Sequence, residues 1–274
     1  MTTEKKPNPK TFQHPFDYLT FSRDVTSKFR YIRDICTNEF LDAVLVTSKN
    51  REKSLCKDQE LWRAQLGSAK SAVGTYLPEV PENVPYPPER MKPLVNRAKE
   101  GRANPKGIPY LYLSTKTQTA IQEIQPWVGS LITVAQVQIV KALKLVDCSR
   151  NIHRPDGTGP DNLWPHGVDS KNWENGTLSN RKLEEYVWSW IDGAFSTPVD
   201  PSDDKAGYVP TQILAELFRA NDYDGIIYNS LFAEGKNLVL FDLDSAKVSM
   251  CVLYRVTKIP PFEFQEHKRL RDVL

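Results

Sequence analysis

Gly101–Arg102–Ala103–Asn104–Pro105–Lys106–Gly107–Ile108–Pro109–Tyr110–Leu111–Tyr112–Leu113–Ser114 runs from a Gly/Pro loop straight into an alternating segment. Glycine and proline punctuate the first half, so it reads as irregular chain. The second half alternates as a strand does, with Tyr110, Tyr112 and Ser114 on one face and Leu111 and Leu113 on the other. One side of that strand is therefore polar-aromatic and the other is core. The spacing next predicts a short helix over 117–125 that carries Glu123. A loop arginine, a strand tyrosine and a helix carboxylate are compatible with a single cleft. Each also has a plain structural use: a surface arginine, a packed tyrosine, a solvent-facing glutamate.

Working outward, residues 78–109 contain Pro78, Pro81, Pro85, Pro87, Pro88, Pro93, Pro105 and Pro109, which argues against regular structure through most of that stretch. Upstream, Leu61–Trp62–Arg63–Ala64 is a short apolar patch interrupted by an arginine. Phe21, Val25, Phe29, Ile32, Cys36 and Phe40 recur at steps of three and four, predicting one long or two short amphipathic helices over 16–47. Residues 1–15, polar and broken by Pro7, Pro9 and Pro15, read as a loose tail. Downstream, Leu131–Val146 is rich in Ile, Val and Leu and reads as one or two buried strands. Residues 150–179 are dense in Asn, Asp, Gly and Pro and read as a long loop or insertion. Helices are expected from Asn180 to about Phe195 and over Thr211–Ala220. Strands are expected at Asp224–Ser230, Asn237–Asp242 and Val248–Thr257. No repeat or low-complexity segment interrupts this order, which describes a single mixed domain with an N-terminal helical extension.

Composition narrows the partners. The chain has 274 residues, 40% hydrophobic, with 36 basic against 34 acidic side chains and a formal net charge of +2. That balance gives no global reason to expect nucleic acid or an anionic membrane. The basic run His267–Lys268–Arg269 sits among Glu263, Glu266 and Asp272 and reads as a solvated face. Four scattered cysteines, Cys36, Cys56, Cys148 and Cys251, form no ligand spacing and fit a reducing, cytoplasmic setting. The N-terminus lacks the apolar region of a secretory signal, and no window is long enough to span a membrane. The sequon Asn175–Gly176–Thr177 then carries no weight.

The familiar phosphate-binding turns, G-x-G-x-x-G and G-x-x-x-x-G-K-[ST], are absent, as are the G-x-S-x-G elbow and H-E-x-x-H. His153 and His166 share one loop without a matched third ligand, so no metal is expected. A second block does carry polar residues at strand and helix ends. Tyr208-x-x-Thr211–Gln212 opens a helix, and Tyr223–Asp224–Gly225–Ile226–Ile227–Tyr228–Asn229–Ser230 follows, with Ser230 where strand meets loop. Asn237–Leu238–Val239–Leu240–Phe241 completes it. Asp222 and Asp224 read as turn residues rather than as a metal pair.

Taken in order, Gly101–Arg102-x-Asn104 with Tyr112, Ser114, Ala120 and Glu123, then Tyr208-x-x-Thr211–Gln212, then Asp224–Gly225–Ile226-x-Tyr228-x-Ser230, resemble the RES domain family. The resemblance runs from about Leu61 to about Phe241. It implies an α+β fold similar to ADP-ribosyltransferase toxins, with mainly antiparallel sheets, flanking helices and here an N-terminal helical extension. Residues 1–56 would form the tail and extension, 57–260 the NAD-binding catalytic domain and 261–274 a C-terminal tail. The family implies an NAD-degrading toxin of a toxin–antitoxin pair, splitting the nicotinamide–ribose bond by hydrolysis or phosphorolysis. NAD would be the substrate rather than a resident cofactor, inorganic phosphate a possible acceptor, and an antitoxin the protein partner. Residue by residue, Arg63 and Arg102 match the two arginines, Tyr112 the strand tyrosine, Glu123 the helix glutamate and Ser230 the late serine. The chain departs from compact members in having Ala103 where they carry an aromatic, and in the 150–179 insertion and the long N-terminal region.

Those roles are chemically coherent. Guanidinium forks suit pyrophosphate, which makes Arg63 and Arg102 candidates for it. Nicotinamide leaves from a cationic ring that can stack on Tyr112 and needs no acid. Cleavage builds positive charge on the ribose, as in glycoside hydrolysis, and Glu123 is the carboxylate to stabilise it. Ser230 would hold the ribose or the carboxamide by hydrogen bonding. The same pocket would serve transfer of ADP-ribose to a macromolecule, or NAD binding without turnover, and sequence alone leaves these open.

Overall fold

A computed structural model describes residues 11–71, 81–95, 97–150, 179–199 and 205–258. The histidine-bearing loop, the sequon and the basic run at the C-terminus lie outside the described residues. Elements follow in the order α1 (Asp17–Ser27), α2 (Ile35–Ser48), β1 (Glu52–Leu55), β2 (Glu60–Leu66), β3 (Ala69–Lys70), β4 (Asn83–Val84), β5 (Leu111–Ser114) and α3 (Thr117–Glu123). Then come β6 (Leu131–Ile139), β7 (Leu143–Cys148), α4 (Asn180–Ser196), α5 (Val209–Ala220), β8 (Gly225–Asn229), β9 (Lys236–Leu240) and β10 (Ala246–Arg255).

Eight strands form one sheet in the order β1-β7-β8-β9-β5-β2-β6-β10, and β3 pairs with β4 apart from it. Every pairing in the large sheet is antiparallel except β7 with β8. The fold is thus α+β and mainly antiparallel, as the family resemblance implies. All eight strands send side chains into one apolar cluster that includes Leu55, Leu61, Leu113, Val137, Leu145, Ile227, Leu240 and Ala246. A flat sheet could not bring its two edges to a common cluster, so the sheet bends around it. The bend also lets the amide of Asp58, just past β1, donate to the Ile139 carbonyl at the end of β6.

The opposite face of β7, β8 and β9 carries a second cluster, in which Val146, Ile226 and Val239 pack under Trp188, Ile191 and Phe195 of α4 and Leu214 and Phe218 of α5. Phe21, Phe40 and Val44 from α1 and α2 belong to this same cluster. So does Phe12, only 5% exposed and 5.8 Å from the Phe40 ring. The end of the expected loose tail is therefore anchored: residues 11–15 are held by Phe12 and by the Asp17 carboxylate, which accepts from the amides of Gln13 and His14. A lone aromatic among prolines and polar residues gives no periodicity to read. A third, smaller cluster lies between α3 and the β2–β6 part of the sheet, where Ala120 meets Ala64, Ile132 and Val134.

One ion pair crosses the larger helical cluster. Arg51 Nη1 contacts Asp192 Oδ1 at 2.8 Å, with side chains 6% and 0% exposed. The same nitrogen donates to the Asp147 carbonyl at 2.9 Å, and the guanidinium lies 4.3 Å over the Trp188 ring. The contact joins the α2–β1 junction to α4 and β7. Removing one member of a buried pair strands the other charge without water. Arg51→Met is expected to cost about 3–5 kcal/mol in urea unfolding; a loss below about 1 kcal/mol would mean that water reaches Asp192.

Burial also raises six phenols above their ordinary value of 10: Tyr18, Tyr110, Tyr112, Tyr186, Tyr223 and Tyr228, the last to about 12. Each folded phenol holds its proton more tightly than the unfolded one. The stability this confers is complete below pH 10 and is lost as pH rises through 10 toward the folded values. Burial pulls the Arg63 guanidinium down to about 10, which acts in the opposite sense. Burial also raises the thiols of Cys148 and Cys251 above their ordinary value of 9, so unfolding free energy should begin to fall near pH 9 and fall further above pH 10, with Tyr228 alone contributing on the order of 2 kcal/mol by pH 12. A flat profile from pH 9 to 12 would contradict the burial of these rings.

Candidate functional site

Strand register assembles the site. Trp62 of β2 pairs with Ser114 of β5, Ser114 with Asn237 of β9, and Asn237 with Tyr228 of β8. These four side chains lie on adjacent strands at one level of the sheet. All four line a cavity of about 300 Å³, which Arg63, Tyr112 and Glu123 line as well. Beyond the single Trp62–Ser114 pairing β2 and β5 separate, and Arg63 reaches across the gap to donate from Nη1 to the Tyr112 carbonyl at 3.0 Å. The patch read only as an interrupted apolar stretch is thus β2, a central strand.

Glu123 is the last residue of α3, and three hydrogen bonds fix the polar groups around it. Ser230 Oγ donates to Glu123 Oε1 at 2.6 Å, and Asn237 Nδ2 donates to the same oxygen at 2.6 Å. Ser114 Oγ donates to Asn237 Oδ1 at 2.7 Å. Asn237 and Ser114 are 3% and 4% exposed, so these bonds are sheltered from competing water. Both bonds to the carboxylate fall on Oε1. Ser230 also accepts from the Phe232 amide at 3.2 Å. The loop that bears Ser230 is clamped to α3: Thr119 Oγ1 donates to the Glu234 carbonyl at 2.7 Å. Gly235, at φ +130°, lets the loop come this close, since a Cβ there would lie 2.5 Å from Thr119 Oγ1.

The Gly101–Arg102–Ala103–Asn104 loop forms the neighbouring wall. Tyr112 Oη donates to Asn104 Oδ1 at 2.7 Å and accepts from the Ala103 amide at 3.0 Å. Asn104 Nδ2 donates to the carbonyls of Lys99 and Ile108 at 3.0 and 2.8 Å. From the start of α5, Thr211 Oγ1 donates to the Arg102 carbonyl at 2.6 Å, and Gln212 Nε2 to the Gly101 carbonyl at 3.0 Å. The Tyr-x-x-Thr-Gln block is therefore a brace for this loop. Gly101 sits where a Cβ would lie 2.5 Å from Tyr112 Oη, so a side chain there would displace the phenol from its bonds.

Of the residues singled out from sequence, Arg63, Tyr112 and Glu123 face one cavity, and Ser230 bonds directly to Glu123. Arg102 stands elsewhere: it is buried at 9% exposure and donates from Nη1 to the Phe195 carbonyl at 2.6 Å. Its guanidinium lies 5.2 Å from the centre of the Tyr228 ring, behind the wall rather than among the lining residues. Its Nε, like that of Arg63, is buried without a partner among the described residues, but the side chain does not line the cavity. Asn237 and Tyr228 were not named as site residues, although Tyr228 belongs to the motif that carries the resemblance and Asn237 to a quoted segment; their shared register with Ser114 appears only when strands are paired. A second cavity of about 400 Å³ adjoins the first and shares Arg63 and Tyr112 with it. Among the described residues no cluster of three or more acidic, histidine or cysteine side chains could hold a metal, and no helix is long and apolar enough to cross a membrane.

Curated proteins offer no match to the chain. Among solved structures it is similar to one described as the crystal structure of the M. tuberculosis MbcT–MbcA toxin–antitoxin complex, at 14% identity and a TM-score of 0.38, over 78% of this chain and 94% of that one. The RES domain model matches residues 80–264, which takes in the braced loop, α3 with Glu123, and the strands that carry Tyr228, Ser230 and Asn237. That match covers more than half of the sequence, and the chain belongs to the RES domain family.

Proposed function

We propose that the chain breaks the nicotinamide–ribose bond of NAD, passing ADP-ribose to water or inorganic phosphate, and that it acts as the toxin of a toxin–antitoxin pair. One observation carries the chemical part: a part-buried carboxylate, Glu123, is fixed by Ser230 and Asn237 at the edge of a cavity lined by Arg63 and Tyr112. The toxin role and an antitoxin partner rest on the family resemblance.

Breaking this bond needs little proton transfer. Nicotinamide departs as a neutral molecule, taking the bonding electron pair and leaving positive charge on the ribose. Glu123 Oε2 then faces the developing cation, while the two donors on Oε1 keep the carboxylate from turning away. Preorganised charge of this kind lowers the barrier without reorganisation during the reaction. Burial holds the Tyr112 phenol far above neutrality, and its oxygen is already bonded to the loop, so its ring rather than its hydroxyl is available to the ligand. Arg63, at the junction of the two cavities, takes the pyrophosphate; its Nε is buried with no partner among the described residues. Arg102 acts through Tyr228 and the Phe195 carbonyl and positions the wall. A water molecule or phosphate then adds to the anomeric carbon and completes the exchange.

Purified protein should release nicotinamide from NAD, and Glu123→Gln should slow release by at least about 100-fold with the fold unchanged by circular dichroism. Undiminished turnover in that variant would discard the site. Asn237→Ala, which frees the carboxylate to rotate, should lower kcat by about tenfold or more with little change in KM; an effect confined to KM would mean that Asn237 binds substrate instead. Labelled NAD with cell lysate separates the acceptors, because a stably labelled macromolecule would point to transfer rather than to hydrolysis or phosphorolysis.

A further inference from the structure

The second cavity differs in charge from the first. Its lining includes Arg63, Arg90, Lys92, Arg97 and Lys99 against one carboxylate, that of Glu100. Glu100 is already engaged, accepting from Gln212 Nε2 at 3.0 Å. Lys92 Nζ is tethered, donating to the Leu243 carbonyl at 2.7 Å. Arg90, Arg97 and Lys99 are exposed, and among the described residues no carboxylate forms an ion pair with any of them. Arg90 rests 5.4 Å over the Tyr86 ring. The chain is nearly neutral overall, so this grouping is local and not a consequence of net charge.

The cations sit on a firm base. They belong to the proline-rich stretch, where a 3-10 turn, Pro88–Met91, is pinned by fully buried Met91 in the core enclosed by the sheet. Ala98 is buried, the Lys99 carbonyl accepts from Asn104, and the Ala98 carbonyl accepts from the Gly107 amide. A pyrophosphate at Arg63 leaves the outer cations of this lobe unused. From the geometry we infer that the second lobe receives a further phosphate, a monoester on the adenosine half of the dinucleotide, and that the chain prefers NADP to NAD. The inference rests on the reading that a pyridine dinucleotide occupies the first lobe. A phosphate monoester carries about −1.5 to −2 charges at neutral pH, and guanidinium and ammonium groups match it. Free phosphate serving as acceptor has the same chemistry. It would have to reach the anomeric carbon beside Glu123, however, and Arg63 and Tyr112 stand between that position and these cations.

The test compares kcat/KM for NADP and NAD, read as nicotinamide release, in the wild-type chain and in an Arg97→Ser/Lys99→Ser double variant with an unchanged melting temperature. The wild type should favour NADP. The variant should lose at least about tenfold of that ratio, or about 1.4 kcal/mol, through KM for NADP, with NAD turnover within about threefold of wild type. Added salt should erode the preference in the wild type, because these cations are exposed. A wild type that favours NAD, an unchanged ratio, or equal loss for both substrates would overturn the inference. It would also fall if inorganic phosphate accelerates NAD turnover in the wild type and the variant alone loses that acceleration, since the lobe would then serve the acceptor. If neither dinucleotide is consumed, the proposed reaction fails on its own. Calorimetry with adenosine 2′,5′-bisphosphate against adenosine 5′-monophosphate then decides the lobe: tighter binding of the bisphosphate that the variant abolishes supports it, and equal binding refutes it.

Discussion

Asn237 accepts a hydrogen bond from Ser114 and gives one to Glu123, and through that side chain two strands dictate where a helix-borne carboxylate can point. An amide has distinct donor and acceptor ends, so the orientation is not arbitrary. With Ser114 donating to Oδ1, Nδ2 must face Glu123, and the carboxylate is met as an acceptor. Asn237 and Ser114 are nearly inaccessible to solvent, which makes an unsatisfied group there costly and the arrangement self-consistent only when all members are present. The antiparallel register of β5, β8 and β9 supplies this constraint. A slip of one residue in β9 would turn Asn237 to the other face of the sheet and put Leu238 against the cavity.

The loop wall depends on the same strands. Tyr112 lies two residues before Ser114 on β5 and on the same face, so the register that places Ser114 against Asn237 also aims the phenol at the Gly101–Asn104 loop. Its two bonds, with those from Thr211 and Gln212, satisfy backbone groups that an irregular loop would otherwise leave without partners. Strand, loop and helix start thereby become one unit. This explains why residues more than a hundred positions apart in the chain read as linked blocks.

Most of the secondary structure was legible because its signals are local. Alternation through Tyr110–Ser114 and the apolar run of β6 and β7 each need only a short window, whereas of the stripe expected over 16–47 only Phe21, Val25 and Phe40 reach the core: Phe29 and Ile32 lie exposed in the break between α1 and α2, and Cys36 is exposed on α2. What escaped depends on partners distant in sequence. In β2, Arg63 occupies a position that reads as a break in an apolar stretch, yet it lies where β2 and β5 part and its guanidinium bridges the gap. Phe12 looks like tail until Phe40 is beside it. Arg102 carried the pattern of a ligand arginine, but its side chain turns to Phe195 and Tyr228, and nothing local to the loop encodes that direction. Glu123 and Ser230 were nominated by resemblance, and their 2.6 Å contact is a consequence of the α3–Gly235 clamp rather than of spacing along the chain.

The ionisable lining of the first cavity limits the chemistry it can host. Among the described residues, Arg63, Tyr112, Glu123 and Tyr228 are the titratable groups that line it. Burial holds both phenols well above neutrality, Tyr228 at about 12, and Arg63 stays charged even though burial lowers it to about 10. None of these three exchanges a proton readily near pH 7, so an acid–base pair cannot be assembled from them. A single anchored carboxylate opposite a guanidinium suits a different kind of step, in which a group that is cationic in the substrate departs unaided as a neutral molecule and the charge left behind is stabilised where it forms. The N-glycosidic bond of a pyridinium nucleotide has that property, whereas an ester or an amide needs a nucleophile activated by a base. The poverty of proton-transfer groups among the described lining residues thus favours the proposed bond cleavage on chemical grounds that do not depend on family membership.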